Sequence, residues 1–443
     1  MVQPSTAIET ESLPTHVLVS LCNVASAGPT LVTLEVASSR IRVLDVPDRW
    51  SLLGGLTGLA ASGPYLYAMT SRSTAAGPGS GQPPSPSLLL IFDRRDLRLL
   101  NEYCCSSVFD AHSLWATEGE LYVVSTGTDS VVRIGLEEAE VRREQVYWRP
   151  EPDGPTADVH HLNAIFPWTG DLLVSGFGRK TGPEWSSACE GFVVNTRTGE
   201  RIASGVRHPH SLLEVGGMLA YCESSSMALR FAGSPRCQKL PGYARGLCRI
   251  GNDVFVATSR GRRVSKSTGA LTTLHDTGEE LAGRCSIARL SADALAIADV
   301  IELGPYGAEV YDLLPVTDVE SWPVSDELAW HDAALRGLRV NFDERGATIS
   351  SLHIEVVHRD RAVAWLHEEV AKRDQTIAWL HEEVAKGDRR LHEEVAKLDQ
   401  TIAWLHEEVA KRDRTIAWLH GEVAARDQTI AGGRNERSGD EGK

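Results

Sequence analysis

Ala111–Ser125 reads AHSLWATEGELYVVS: a polar residue near the start, an apolar run, a turn carrying Gly119 and a second apolar run. Two β-rich runs flanking a Gly-containing turn predict a tight antiparallel pair. The template recurs as TGLAASGPYLYAMTS from Thr57, NAIFPWTGDLLVSGF from Asn163, HSLLEVGGMLAYCES from His210 and RGLCRIGNDVFVATS from Arg245. A weaker sixth copy, CSIARLSADALAIAD, starts at Cys285. Between the copies lie further strand-like runs, SLLLIFD, SVVRIGL, GFVVNTRTGERIASGV and GAEVYDLLP. Four-strand units repeated without helical periodicity predict an all-β propeller over residues 16–320, with six blades expected and seven as the alternative. The β-rich runs between His16 and Asp45 are expected to complete the blade that the last repeat leaves unfinished. The Pro, Gly and Ser-rich insert Ala75–Ser87 reads as a loop.

Composition narrows the class of function. The 443 residues carry a formal net charge of −15, which argues against a nucleic-acid partner, because phosphate binding needs clustered Lys and Arg. The eight cysteines form no C-x-x-C pair and read as buried thiols in a reducing compartment. Residues 1–15 show no apolar core of a signal peptide, and no run of about 18 apolar residues predicts a transmembrane segment. A disordered N-terminus on a cytoplasmic protein is the expectation.

The pattern changes after Pro315. Residues 321–346 predict an adaptor helix that starts at Ser325 or Asp326. Over 347–431 a heptad register predicts a long α-helical coiled coil, with Ile349, Val356, Val363, Val370, Ile377 and Val384 at one seam position and Leu352, Leu366 and Leu380 at the other. The unit is HEEVAKRDQTIAWL, and one copy is three residues short, so Leu391 follows Leu380 after eleven residues. Self-association through Ile349–Ala431 follows. β-branched and Leu layers favour a parallel dimer over a trimer, while Arg359, Arg373, Gly387, Arg412 and Arg426 weaken the Leu position. The repeated Trp-Leu-His units are exposed features of a tandem duplication or a partner surface. Residues 432–443 read as a disordered tail.

In a propeller the first strand of each blade lines the central channel, so the repeated position maps to a ring: Thr57, His112, Asn163, His210, Arg245, and Cys285 or its neighbour Arg284. Asp110, Asp158, His160, His161 and His208 lie just upstream and would project from the same rim. This pattern supports a pocket in which imidazoles bond a ligand or exchange protons, while Arg245 and Arg284 clamp an anionic group. A divalent metal on His112, His161 and His210 is a further reading, and a merely hydrated channel is the bland one. The loop Gly176–Trp185 adds basic residues and Trp185 nearby. No catalytic residue is assignable: the helical HEEVA units lack the second His of a zinc-protease motif, and no Ser-His-Asp arrangement is visible.

Asp110-Ala111-His112-Ser113-Leu114, His161-Leu162-Asn163-Ala164-Ile165, Pro209-His210-Ser211 and Leu240-Pro241-Gly242-Tyr243-Ala244-Arg245-Gly246-Leu247 resemble the motifs of a bacterial family of conserved hypothetical propeller proteins, classed as a domain of unknown function. The resemblance implies a propeller with His112, His161, Asn163, His210 and Arg245 as its signature site. It further implies companionship or fusion with glycosyltransferases and methyltransferases of surface-polysaccharide loci, and the helical repeat is similar to spacers in such proteins. Three functions stay open: a scaffold or spacer in glycan assembly binding a sugar or sugar nucleotide, a lyase, isomerase or hydrolase acting through the rim histidines, and a protein-docking platform.

Overall fold

The computed structural model describes residues 13–24, 28–73, 85–182, 185–260, 283–325 and 327–437. Most of the insert Ala75–Ser87, and residues 1–12 of the N-terminus, lie outside the described residues. Two units are distinct, one over Met1–Glu344 and one over Arg345–Lys443.

The first unit holds six antiparallel four-stranded sheets, the blades of a six-bladed propeller. Their innermost strands are Leu56–Ser62, Ala111–Thr117, Leu162–Trp168, Pro209–Val215, Tyr243–Ile250 and Glu309–Val316, here numbered as blades 1 to 6. Five of the six repeats fall on these strands. The sixth does not: Ser286–Ser291, from the copy at Cys285, is the third strand of blade 5. The innermost strand of blade 6 is instead the run GAEVYDLLP, and the other three strands of that blade come from the N-terminus. His16–Cys22 pairs with Glu309–Val316 in a register that sets His16 against Val316, closing the ring.

Burial on both faces explains the nearly continuous apolar runs. In Leu88–Asp93, Leu88, Leu90 and Phe92 pack in the core shared with blade 6, while Leu89 and Ile91 pack in the core shared with blade 2. Period-2 alternation thus divides one strand between two cores, and each blade junction has its own.

A hydroxyl near the end of the second strand reinforces five of the junctions. Ser20, Thr126, Ser175, Ser224 and Ser259 each donate to a main-chain carbonyl on the innermost strand of the next blade, at Thr57, Leu162, Pro209, Ala244 and Val310. Four of the repeats carry this position visibly, as the Ser or Thr in VVST, LVSG, YCES and VATS.

Trp322, buried in the core between blades 6 and 1, donates from Nε1 to the Arg94 carbonyl at 2.9 Å. Ser325 donates its main-chain N–H to Val43. The chain therefore stays on the propeller through Ser325, and the helix begins at Glu327, within two residues of the start expected at Ser325 or Asp326. One helix then runs to Arg437, through Gly387 and past Gly432 and Gly433. Each internal Gly costs about 1 kcal/mol in a helix, but extending a formed helix needs no new nucleus. No disulfide links the cysteines; Cys22, Cys105, Cys222, Cys248 and Cys285 are buried, whereas Cys104 and Cys237 are exposed, unlike the expectation for all eight. No described helix is long and apolar enough to cross a membrane.

Candidate functional site

Every innermost strand is irregular at the same place. Register shifts fall between Leu56 and Leu59, Ala111 and Leu114, Leu162 and Ala164, His210 and Leu212, Ala244 and Leu247, and Val310 and Leu313. A bulge frees a main-chain N–H from the ladder and re-aims the side chains around it. Polar side chains of the preceding blade meet some of these groups: Ile165 donates to Ser113 Oγ at 3.3 Å and Leu59 to Asp312 Oδ2 at 3.0 Å. Three residues just before these strands, Asp110, His161 and His208, have left-handed backbone with φ near 50°. Gly55 fills the same place in blade 1 with φ 79°.

His112, Ser113, Asn163, His210, Ser211, Tyr311 and Asp312 line one narrow cavity, with room for about one water-sized group. The tautomers of its histidines follow from their partners. Asn163 Nδ2 donates to the His161 carbonyl at 2.7 Å, so its Oδ1 accepts from His112 Nδ1 at 2.9 Å. The Ser224 hydroxyl is spent on the Ala244 carbonyl, so its oxygen accepts from His210 Nδ1 at 2.7 Å, and the His208 carbonyl lies 3.1 Å from the same nitrogen. Each imidazole is thereby held with the proton on Nδ1 and a lone pair on Nε2. That of His112 faces Asp110 at 3.6 Å, and that of His210 meets no described residue. Burial lowers the pKa of both, opposed at His112 by Asp110 and helped at His210 by the Arg245 charge. Burial thus disfavours the charged form of both rings, and the His210 ring, whose pKa lies well below 6.5, is a neutral acceptor at pH 7.

Asp312 retains some contact with the cavity yet is otherwise enclosed, and burial pushes its carboxyl up to about 7. Bonds from the Leu59 and Leu313 N–H groups pull the other way. Sequence reasoning missed Tyr311, Asp312 and Glu309. The frame Tyr-Asp-Leu at 311–313 matches His-Ser-Leu and Arg-Gly-Leu, but no Gly turn and second strand follow it, because its neighbour is supplied by the N-terminus.

Beside the cavity His161, Phe177, Trp185, His208 and Tyr243 form a contiguous aromatic cluster. His208 stacks on Phe177 with centroids 4.1 Å apart, donates from Nε2 to the Trp185 carbonyl, and lies 3.2 Å from the Tyr243 hydroxyl. His161 contacts both Phe177 and Trp185 at 4.5 Å, and Asp158 bonds its Nδ1. Lys180 sits over Trp185 at 4.3 Å, and Phe177 and Trp185 carry the loop against His161 and His208.

Four expected rim residues lie elsewhere or do another job. His160 is held by Asp129 at 2.6 Å and Glu151 at 3.4 Å, locking a loop between blades 2 and 3. Thr57 is buried and donates to the Met69 carbonyl of its own blade. Cys285 precedes a third strand, and Arg284 pairs with Glu302 on the outermost strand of blade 5 at 3.1 Å. Arg245 is near the cavity, between Tyr243 and Tyr311, but Glu309 at 3.6 Å meets its charge. The paired arginine clamp for an anion is therefore not assembled. Among the described residues no set of three or more His, Cys, Asp or Glu converges to hold a metal, so His112, His161 and His210 do not form a ligand set.

The fold and site define a six-bladed propeller whose bulged inner strands gather polar residues at one end of the channel. The family profile described as a domain of unknown function (DUF4915) matches residues 99–323, just over half of the chain. The chain belongs to that family. A search of curated proteins finds no match. Among solved structures, the chain is similar to one in the nidogen/laminin complex, at 7% identity over 67% of this chain and 97% of that one, with a TM-score of 0.45. It is also similar to a protein of unknown function from Bacteroides caccae, at 12% identity over 71% and 100% of the two chains, with a TM-score of 0.43. A Bacteroides fragilis protein proposed to be a 6-phosphogluconolactonase matches at 15% identity over 71% and 100%, with a TM-score of 0.37.

Proposed function

We propose that this propeller binds an uncharged polyhydroxy ligand, of the sugar class, which inserts one hydroxyl group into the cavity between His112, Asn163, His210 and Asp312. The observation that supports it is the buried His210: its proton is committed to Ser224, and its Nε2 is left as an acceptor at a cavity sized for about one polar group. A hydroxyl donates to that nitrogen and can accept from a protonated Asp312. An anionic ligand is the poorer fit, because the Arg245 charge is already met and Asp110, Asp158 and Asp312 stand close by. The helix oligomerises the chain. A cytoplasmic scaffold or spacer role in surface-glycan assembly, beside a glycosyltransferase or methyltransferase, is supported by the family resemblance alone.

Titration calorimetry of the full chain with glucose, galactose, N-acetylglucosamine and glucose 1-phosphate tests the binding. The neutral sugars should bind and His210→Ala should abolish the heat. Binding of the phosphate ester alone, or no binding at all, would sink the proposal. A second reading, acid–base catalysis at the same site, is favoured by Asp312, whose carboxyl titrates where proton transfer at neutral pH is efficient. It requires turnover of a bound sugar that Asp312→Asn removes while binding survives.

A further inference from the structure

The long helix carries an apolar seam that nothing in the described chain covers. Val370, Ile377 and Val384, and beyond the phase break Val395, Ile402 and Val409, follow one another down one face, each about half exposed. The second seam position alternates: Leu366, Arg373 and Leu380 before the break, Leu405, Arg412 and Leu419 after it.

The flanking residues follow the same fourteen-residue beat. Arg373 comes four residues after Glu369 and one before Asp374, and the same triplet recurs around Arg412 and Arg426. In a parallel pair of helices the flank of one chain that carries Glu369 lies against the opposite flank of the second copy five residues on, which carries Asp374. Two carboxylates there repel, and the seam arginines between them offset the repulsion. Arg412 already lies 4.0 Å from Glu408 within the single chain. Antiparallel pairing mixes the two seam positions, so each arginine faces Val or Ile and the charge pattern loses its match.

A strict fourteen-residue repeat would still allow slips of one repeat. Among the described residues the seam has one shortened step, eleven residues from Leu380 to Leu391 and again from Val384 to Val395. Insertions and deletions of this kind change the local phase of a coiled coil, and two copies match in phase along their whole length only at zero offset.

We propose that the helix pairs in parallel and in register with a second copy of this chain, the seam arginines selecting the orientation and the short repeat selecting the register. This rests on the self-association put forward above and is independent of the cavity. A single polar layer fixes register in other coiled coils at some cost in stability, and here several layers and one phase break share the task.

The test uses the full chain carrying Val370→Cys or Val409→Cys separately, under mild oxidation. A disulfide needs Cα atoms about 4.4–6.8 Å apart, so both variants cross-link to themselves only in a parallel, in-register pair. A slip of one repeat separates like residues by about 21 Å. Both variants should give covalent dimers beyond those of the parent chain. Coexpressed Val395→Cys and Val409→Cys chains should give no mixed dimer. Insertion of Ile-Ala-Trp after Arg390, which restores the full repeat, should make that mixed dimer appear. A full chain that sediments as a monomer overturns both this pairing and the self-association. An oligomer in which only one of the single variants cross-links, or one whose register ignores the insertion, overturns the pairing and leaves the self-association standing.

Discussion

His112 donates from Nδ1 to Oδ1 of Asn163 across 2.9 Å, and the bond ties the innermost strand of blade 2 to that of blade 3. Both side chains are buried. Asn163→Ala leaves the imidazole N–H without its partner, a loss of about 1–3 kcal/mol that a urea midpoint should register. The double variant His112→Ala/Asn163→Ala should cost less than the two single changes added together, and strict additivity would show that the bond carries no coupling.

Acid and base dependence of stability divides between two kinds of group. Asp312 is held near 7 in the folded chain, so the native state keeps a proton that the unfolded chain releases above about 4. Its contribution falls as pH climbs from about 4 to 7. His112 and His210 titrate below the ordinary 6.5, so the unfolded chain takes up protons first and their contribution is lost as pH falls below that value. Asp312→Asn should therefore make Tm rise more steeply with pH between 4 and 7 than in the parent. Equal slopes would mean that Asp312 is already ionised across that range.

Gly58 permits the close approach of blades 1 and 2. A Cβ there would lie 2.9 Å from the His112 carbonyl oxygen and 3.0 Å from the Leu114 nitrogen, both main-chain atoms. Gly58→Ala should destabilise by about 1–3 kcal/mol. Gly304→Ala, where a Cβ meets nothing within 4 Å, serves as the control and should change the thermal midpoint little.

Arg245 and Arg284 looked equivalent by position, and their environments separate them. Arg245→Met removes the guanidinium that lies 3.6 Å from Glu309, which is 4% exposed, and should cost clearly more in chemical denaturation than the change at Arg284. Arg284→Met removes one partner of an exposed pair, an interaction worth about 0–1 kcal/mol. Similar losses for the two would contradict the placement of Arg245 as a link between blades 5 and 6.

The repeat made the propeller legible, because each of five copies presents a bulged inner strand with its ring residue in the same frame. His112, Asn163, His210 and Arg245 stand near one another for that reason. Blade 6 was hidden by its own construction: strands far apart in sequence share one sheet, so Tyr311 and Asp312 have no following hairpin to mark them. Cys285 begins a convincing strand pair, but pattern alone does not say whether an apolar pair occupies the inside or the outside of a blade. Proximity in sequence misled at His160, which sits one residue before His161. Its ring turns to Asp129 and Glu151, while His161 turns to the aromatic cluster. Side-chain direction at the turn depends on the left-handed backbone of His161, which a residue string does not display.

Because Glu309–Val316 must dock on His16–Cys22, the ring is complete only after more than three hundred residues have been synthesised. Until then the early strand presents a bare edge, the kind of surface on which nascent chains misassemble. Tyr311 and Asp312 arrive in the same stroke that seals the ring, so a half-made propeller has no competent cavity. The seam is translated later still. Order of synthesis therefore places closure of the ring ahead of the helix, and the unpaired edge of the early strand has the last strand of its own chain as the earliest available partner.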